Sequence, residues 1–98
     1  MTDNTKEKLE YLLRFLDAEI DLMIYEVLND SVDDPQFSAV TAQNLVKCYI
    51  SVMQEMGGPL HFTNVREYMT HNCYTDEEIC LFHEKVRQES AYYIGKQY

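Results

Sequence analysis

The sequence predicts an all-α domain built from four helices, and three features carry that reading. Apolar residues recur at spacings of three and four along two stretches too long to be strands. The breaks between periodic stretches hold Asx-rich, Gly-Gly-Pro and Asn-containing turns. No run of four or more residues alternates convincingly between apolar and polar, so no sheet is expected. Two long helices, about 5–29 and 38–56, are expected to form an antiparallel pair, with two shorter ones, about 63–71 and 76–94, packed across them. The 98 residues suffice for one domain, 1–98, and not for two.

The first helix is defined by Leu9, Leu12, Leu13, Leu16, Ile20, Met23, Ile24 and Val27, which share one stripe at 100° per residue. The run Asn29-Asp30-Ser31-Val32-Asp33-Asp34-Pro35 should then break it. Ser38 is the expected N-cap of the second helix, whose stripe is Ala42, Leu45, Val46, Tyr49, Val52, Met53 and Met56. Gly57-Gly58-Pro59 should end that helix, through a left-handed cap and a residue that cannot continue it. The third helix is short, with Val65, Tyr68 and Met69 facing the core and Asn72 as the expected left-handed terminator. Thr75 and Glu78 form a capping box for the fourth, with Tyr74 and Ile79 as its hydrophobic staple. Phe82, Val86 and Tyr93 continue that helix as far as Gly95.

The charge is unevenly placed. Lys and Arg number 8 against 17 Asp and Glu, a formal −9, and the first 37 residues alone hold ten carboxylates and three basic groups. Such a segment should attract basic partners and repel nucleic acid and anionic membranes. The N-terminal residues lack the apolar stretch of a secretory signal, and no uncharged run approaches a membrane span. Cys48, Cys73 and Cys80, odd in number and scattered, then read as reduced thiols of a cytoplasmic protein, two or more of them buried.

Helix 1 carries more apolar surface than one core face requires. Tyr11, Phe15, Ala18, Leu22 and Tyr25 form a second stripe, more than about 100° around from the first. Two arrangements accommodate this: helix 1 is central, with helix 4 covering one stripe and helix 2 the other, or the second stripe docks another copy of the chain, as a homodimer, or a different protein. Tyr and Phe suit an interface, being large, amphipathic and economical in rotamer entropy. The candidate anchors are therefore Tyr11, Phe15, Leu22 and Tyr25, with Asp17, Asp21, Asp30, Asp33 and Asp34 steering a basic protein partner. Tyr92, Tyr93 and Tyr98 add aromatic surface at the C-terminus.

Other chemistries fare less well. His71, Cys73, Cys80 and His83 are of the ligand types zinc prefers, which would make a small zinc-stabilised domain, but their spacing matches no finger arrangement. A core-edge His83 beside a buried Cys80 explains the pair without metal, so no metal or other cofactor is assigned. The Asp30–Asp34 loop lacks the glycine and the terminal Glu of a calcium loop. A recognition helix opening Asp76-Glu77-Glu78 would repel phosphate, so direct nucleic-acid binding is not expected. The carboxylates of helix 1 and its loop could instead mimic nucleic acid, although Arg14 interrupts the strip and duplex DNA is far denser in charge. No nucleophile elbow or phosphate loop suggests an enzyme. The expectation is a small acidic interaction protein that binds, and inhibits or redirects, a larger basic-surfaced one. Inhibitor, immunity, antitoxin and adaptor roles, including those encoded by phages and mobile elements, suit chains of this class.

Overall fold

The computed structural model describes residues 3–96, with side chains for residues 4–87. It contains four helices, α1 (Asp3–Leu28), α2 (Pro35–Met56), α3 (Val65–His71) and α4 (Asp76–Lys96), and no strand among the described residues. The long helices α1 and α2 pack against each other along most of their shared length, and the short 29–34 connection makes them antiparallel. The C-terminal pair packs on these two and on itself.

Ile20, Ile24 and Val27 of α1 meet Ala39, Ala42 and Val46 of α2, with Val65, Tyr68 and Met69 of α3 and Ile79 and Phe82 of α4 closing the core. Removing each large side chain of this kind from water contributes about 1.5–3 kcal/mol. Tyr68 is fully buried, and Phe62, from the α2–α3 loop, lies edge-on to it with ring centroids 5.0 Å apart. Tyr49 packs on the same Phe62 ring at 5.1 Å, so an aromatic cluster ties the loop to α2 and α3. Leu12, expected in the core stripe, is instead well exposed on the side of a shallow apolar groove completed by Leu16, Lys47, Cys48, Ser51 and Val52.

Several element ends differ from the sequence reading. The second helix starts three residues earlier than expected: Asp34 is its N-cap, its Oδ1 accepting the Phe37 amide at 3.0 Å, and Pro35 opens its first turn. A proline needs no intrahelical donor there, so the residue read as a breaker is a starter. Ser38, expected as the cap, is buried inside the helix. Its C-terminus follows expectation, with Gly57 left-handed at φ 73° and the Gly57 and Gly58 amides donating to the carbonyls of Gln54 and Met53. Asn64 caps α3 through the Glu67 amide at 2.8 Å. After α3 the left-handed residue is Cys73, at φ 66°, and not Asn72, whose side chain instead donates to the Tyr68 carbonyl.

The capping box of α4 forms in both directions: the Thr75 amide donates to Glu78 at 2.9 Å and the Glu78 amide to the Thr75 hydroxyl at 3.1 Å. Tyr74 is half-buried and Ile79 buried, as a staple requires. Gly95 lies within α4 and does not end it. The side chains of Tyr92 and Tyr93, and Tyr98 altogether, lie outside the described residues.

Candidate protein-binding surface

The second stripe of α1 is open to solvent. Tyr11 is 68 % exposed, Phe15 53 %, Leu22 45 % and Tyr25 59 %, and Ala18 between them is exposed as well. The face buried against α2 and the C-terminal pair accounts for Leu13, Leu16, Ile20, Ile24 and Val27, so neighbouring helices cover one stripe and leave the other. A continuous row from Tyr11 to Tyr25 spans about 21 Å of helix. Scattered exposed apolar residues need no explanation, but four large ones in a line on a rigid helix form a ready contact surface.

The carboxylates near this row do more structural work than steering alone would demand. Asp17 and Asp21 sit on the flank of α1 that meets the C-terminal pair, both half-buried. The Tyr68 hydroxyl donates to the Asp17 carboxylate at 3.1 Å, with the Asp17 carbonyl a second acceptor at 3.2 Å. The Tyr74 hydroxyl donates to Asp21 at 2.8 Å. Asp30 takes a left-handed conformation at φ 53° and pairs with Lys85 at 2.7 Å, and the same ammonium donates to the Leu28 carbonyl at 3.1 Å. Lys85 thereby satisfies an orphan carbonyl at the end of α1 and holds α4 to it. Asp34 caps α2, and Asp33 is exposed. Four of the five, Asp17, Asp21, Asp30 and Asp34, therefore hold elements in place as well as adding to the acidic surface.

Burial raises the Asp17 carboxyl above its usual range; the Tyr68 hydrogen bond works against that shift, Asp21 adds to it and His71 opposes it. The folded protein therefore holds a proton on Asp17 more readily than the unfolded chain does. This makes ionised Asp17 a cost at neutral pH, and that cost disappears as the pH falls through the raised value towards 3.8. Asp17→Asn keeps an acceptor for Tyr68 without the charge. It should equal or exceed the parent's stability at pH 7, with the advantage vanishing at about pH 3, below the 3.8 at which the unfolded carboxyl titrates. Urea unfolding at the two pH values reads this; a variant clearly weaker at pH 7 would show that the charge itself stabilises the contact.

Sequence reasoning missed Phe37 and Val40, which are 69 % and 47 % exposed on the first turns of α2. Phe37 directly follows the acidic loop, its amide held by Asp34, so an exposed ring adjoins the carboxylates there. Placing the start of α2 at Ser38 hid it in a presumed loop; the Asp-Pro pair was the available signal. The three cysteines are exposed, against the expectation of burial, and His83 is exposed too, with Nδ1 2.8 Å from the Ile79 carbonyl. His71, Cys73, Cys80 and His83 do not converge: no group of three or more His, Cys, Asp or Glu among the described residues is placed to hold a metal ion. His71 instead stacks on His61 with ring centroids 4.9 Å apart.

No buried side-chain nitrogen or oxygen among the described residues lacks a hydrogen-bond partner, so the interior offers no polar group awaiting a ligand. None of the described helices is long and apolar enough to cross a membrane. The chain matches no protein-family model, no curated protein and no solved structure.

Proposed function

We propose that this protein is a small cytoplasmic binding module that docks through the outer face of α1 on a larger, basic-surfaced protein and inhibits or redirects it. The observation that carries the reading is the uncovered row Tyr11, Phe15, Leu22 and Tyr25 on one rigid helix. Aromatic anchors of this kind dominate interface energetics, while a surplus of carboxylates around them acts on encounter and on the choice of partner. With a formal −9 on the whole chain, a basic surface is the favourable target and an acidic one is disfavoured.

Mimicry of nucleic acid is the weaker reading. It needs a dense strip of free carboxylates, whereas Asp17, Asp21, Asp30 and Asp34 are each bonded within the fold and face different elements.

Capture of partners from a host lysate with the tagged protein and its variants tests the proposal. Tyr11→Ala, Phe15→Ala and Tyr25→Ala are each expected to weaken retention of one dominant basic protein by about 1–3 kcal/mol, through faster dissociation. Asp33→Asn with Asp34→Asn, which preserves the α2 cap, is expected to slow association and flatten its salt dependence. Folded aromatic variants that bind like the parent would overturn the reading. Loss of binding on the Asp changes, with displacement by DNA or RNA, would establish the mimic instead.

A further inference from the structure

We propose that in the free protein the outer face of α1 is covered by a second copy of the chain, the two α1 helices running antiparallel about a two-fold axis beside Ala18. The inference rests on the same open face as the proposed function and names its occupant when no partner is present; a partner must then displace the second copy.

The row is nearly the same read in either direction. Tyr11 and Tyr25 stand equally far on either side of Ala18, with Phe15 and Leu22 between, so an antiparallel pair brings Tyr11 of one copy towards Tyr25 of the other. Ala18 at the centre is exposed and small, which lets the two helix axes approach closely where they cross. A two-fold contact must be self-complementary, and this row meets that condition.

Charge selects the direction. All three basic groups of α1, Lys6, Lys8 and Arg14, precede Ala18, interleaved with Asp3, Glu7, Glu10 and Asp17, whereas Glu19, Asp21 and Glu26 after Ala18 are all acidic. Lys8 and Glu26 lie about five full turns apart and therefore on the same flank of the row; Arg14 and Asp21, about two turns apart, lie together on the other. Antiparallel pairing sets Lys8 beside the second copy's Glu26 and Arg14 beside its Asp21, each twice by symmetry. Parallel pairing would set each flank against the opposite flank at the same height, so Lys8 would not meet Glu26, nor Arg14 meet Asp21. Glu19, beside the axis, meets its own copy, a like-charge contact that the four opposite-charge pairs and the apolar row outweigh.

Sedimentation equilibrium of the full chain over a wide concentration range, with charge-exchanged variants, tests this. The parent is expected to dimerise, and Phe15→Ala with Leu22→Ala to raise the dissociation constant at least tenfold while leaving helicity intact, and the urea midpoint too at concentrations low enough for both proteins to be monomeric, since both side chains are exposed in the single chain. Lys8→Glu and Glu26→Lys are each expected to pair several-fold more weakly than the parent. An equal mixture of the two should recover the parent's affinity, because one mixed dimer restores every flank pair. Net charge alone makes the opposite prediction for Glu26→Lys, which lowers the repulsion between copies that each carry −9. A parent that stays monomeric at every concentration, a Glu26→Lys dimer tighter than the parent's, or no recovery on mixing would overturn the proposal. A monomeric parent that still captures a partner through Tyr11 and Phe15 overturns self-pairing alone, while a dimer whose capture ignores those changes overturns the partner reading alone.

Discussion

Tyr68→Ala is expected to cost about 3–5 kcal/mol of folding stability, the range for truncating a large aromatic in a packed core. The ring is wholly buried, touches Phe62 edge-on and sits where α3 meets α1. Against a total of about 5–15 kcal/mol for a domain of this kind, the loss would leave a marginal fold. Tyr68→Phe keeps the packing and removes only the hydroxyl, leaving the Asp17 carboxylate without its donor; about 1–2 kcal/mol is the expected cost. Tyr11→Ala, on the exposed row, should stay within about 0.5 kcal/mol of the parent. Urea unfolding followed by far-UV circular dichroism orders the three. A Tyr68→Ala loss no larger than that of Tyr11→Ala would show that α3 does not anchor the core.

The contrast between these tyrosines marks what could be read from the sequence. Periodicity places Tyr11 and Tyr68 on helices and says which stripe each belongs to, and it identified two apolar stripes on α1. Which stripe is covered depends on how the short C-terminal helices approach, and that is a tertiary matter. The capping box at Thr75 and Glu78 was fully legible because all its partners lie within one turn. Asp17 and Asp21 read as steering charge because their tyrosine donors lie some fifty residues away. Local rules failed where two of them competed. Asp34-Pro35 satisfies both a turn and a helix start, and burial of Ser38 and Ala39 against α1 decides for the helix. Cys73 holds the left-handed position because α3 runs through His71 with Asn72 as its C-cap, and the turn that closes it, with the Cys73 amide donating to the Thr70 carbonyl and the Tyr74 amide to that of Met69, puts positive φ on the residue after the cap.

The Tyr68–Asp17 contact also makes the fold sensitive to alkali, and the expected result is a steep loss of stability above pH 10. Burial raises the Tyr68 hydroxyl far above its ordinary range, with the charges of Asp17 and Asp21 and the hydrogen bonds to them adding to the shift. Tyr74 is raised by burial and by its bond to Asp21, and Tyr49 by burial and the charge of Asp17. A tyrosine of the unfolded chain ionises near pH 10, whereas the folded protein keeps Tyr68 protonated well beyond it. The folded state then binds more protons, so this stabilisation is fully present below pH 10 and lost as the pH rises. The loss from Tyr68 alone is about 1.4 kcal/mol per pH unit, or about 2.7 kcal/mol by pH 12. Tyr68→Phe removes that slope. It should be the less stable protein at pH 7 and should overtake the parent near pH 11, where the hydroxyl's contribution of about 1–2 kcal/mol has been offset by tyrosinate formation in the unfolded chain. Urea midpoints at half-unit steps between pH 9 and 12 locate the crossing. Parallel curves for the two proteins would mean that Tyr68 titrates as freely in the fold as outside it, and that the hydroxyl is not sealed between α1 and α3.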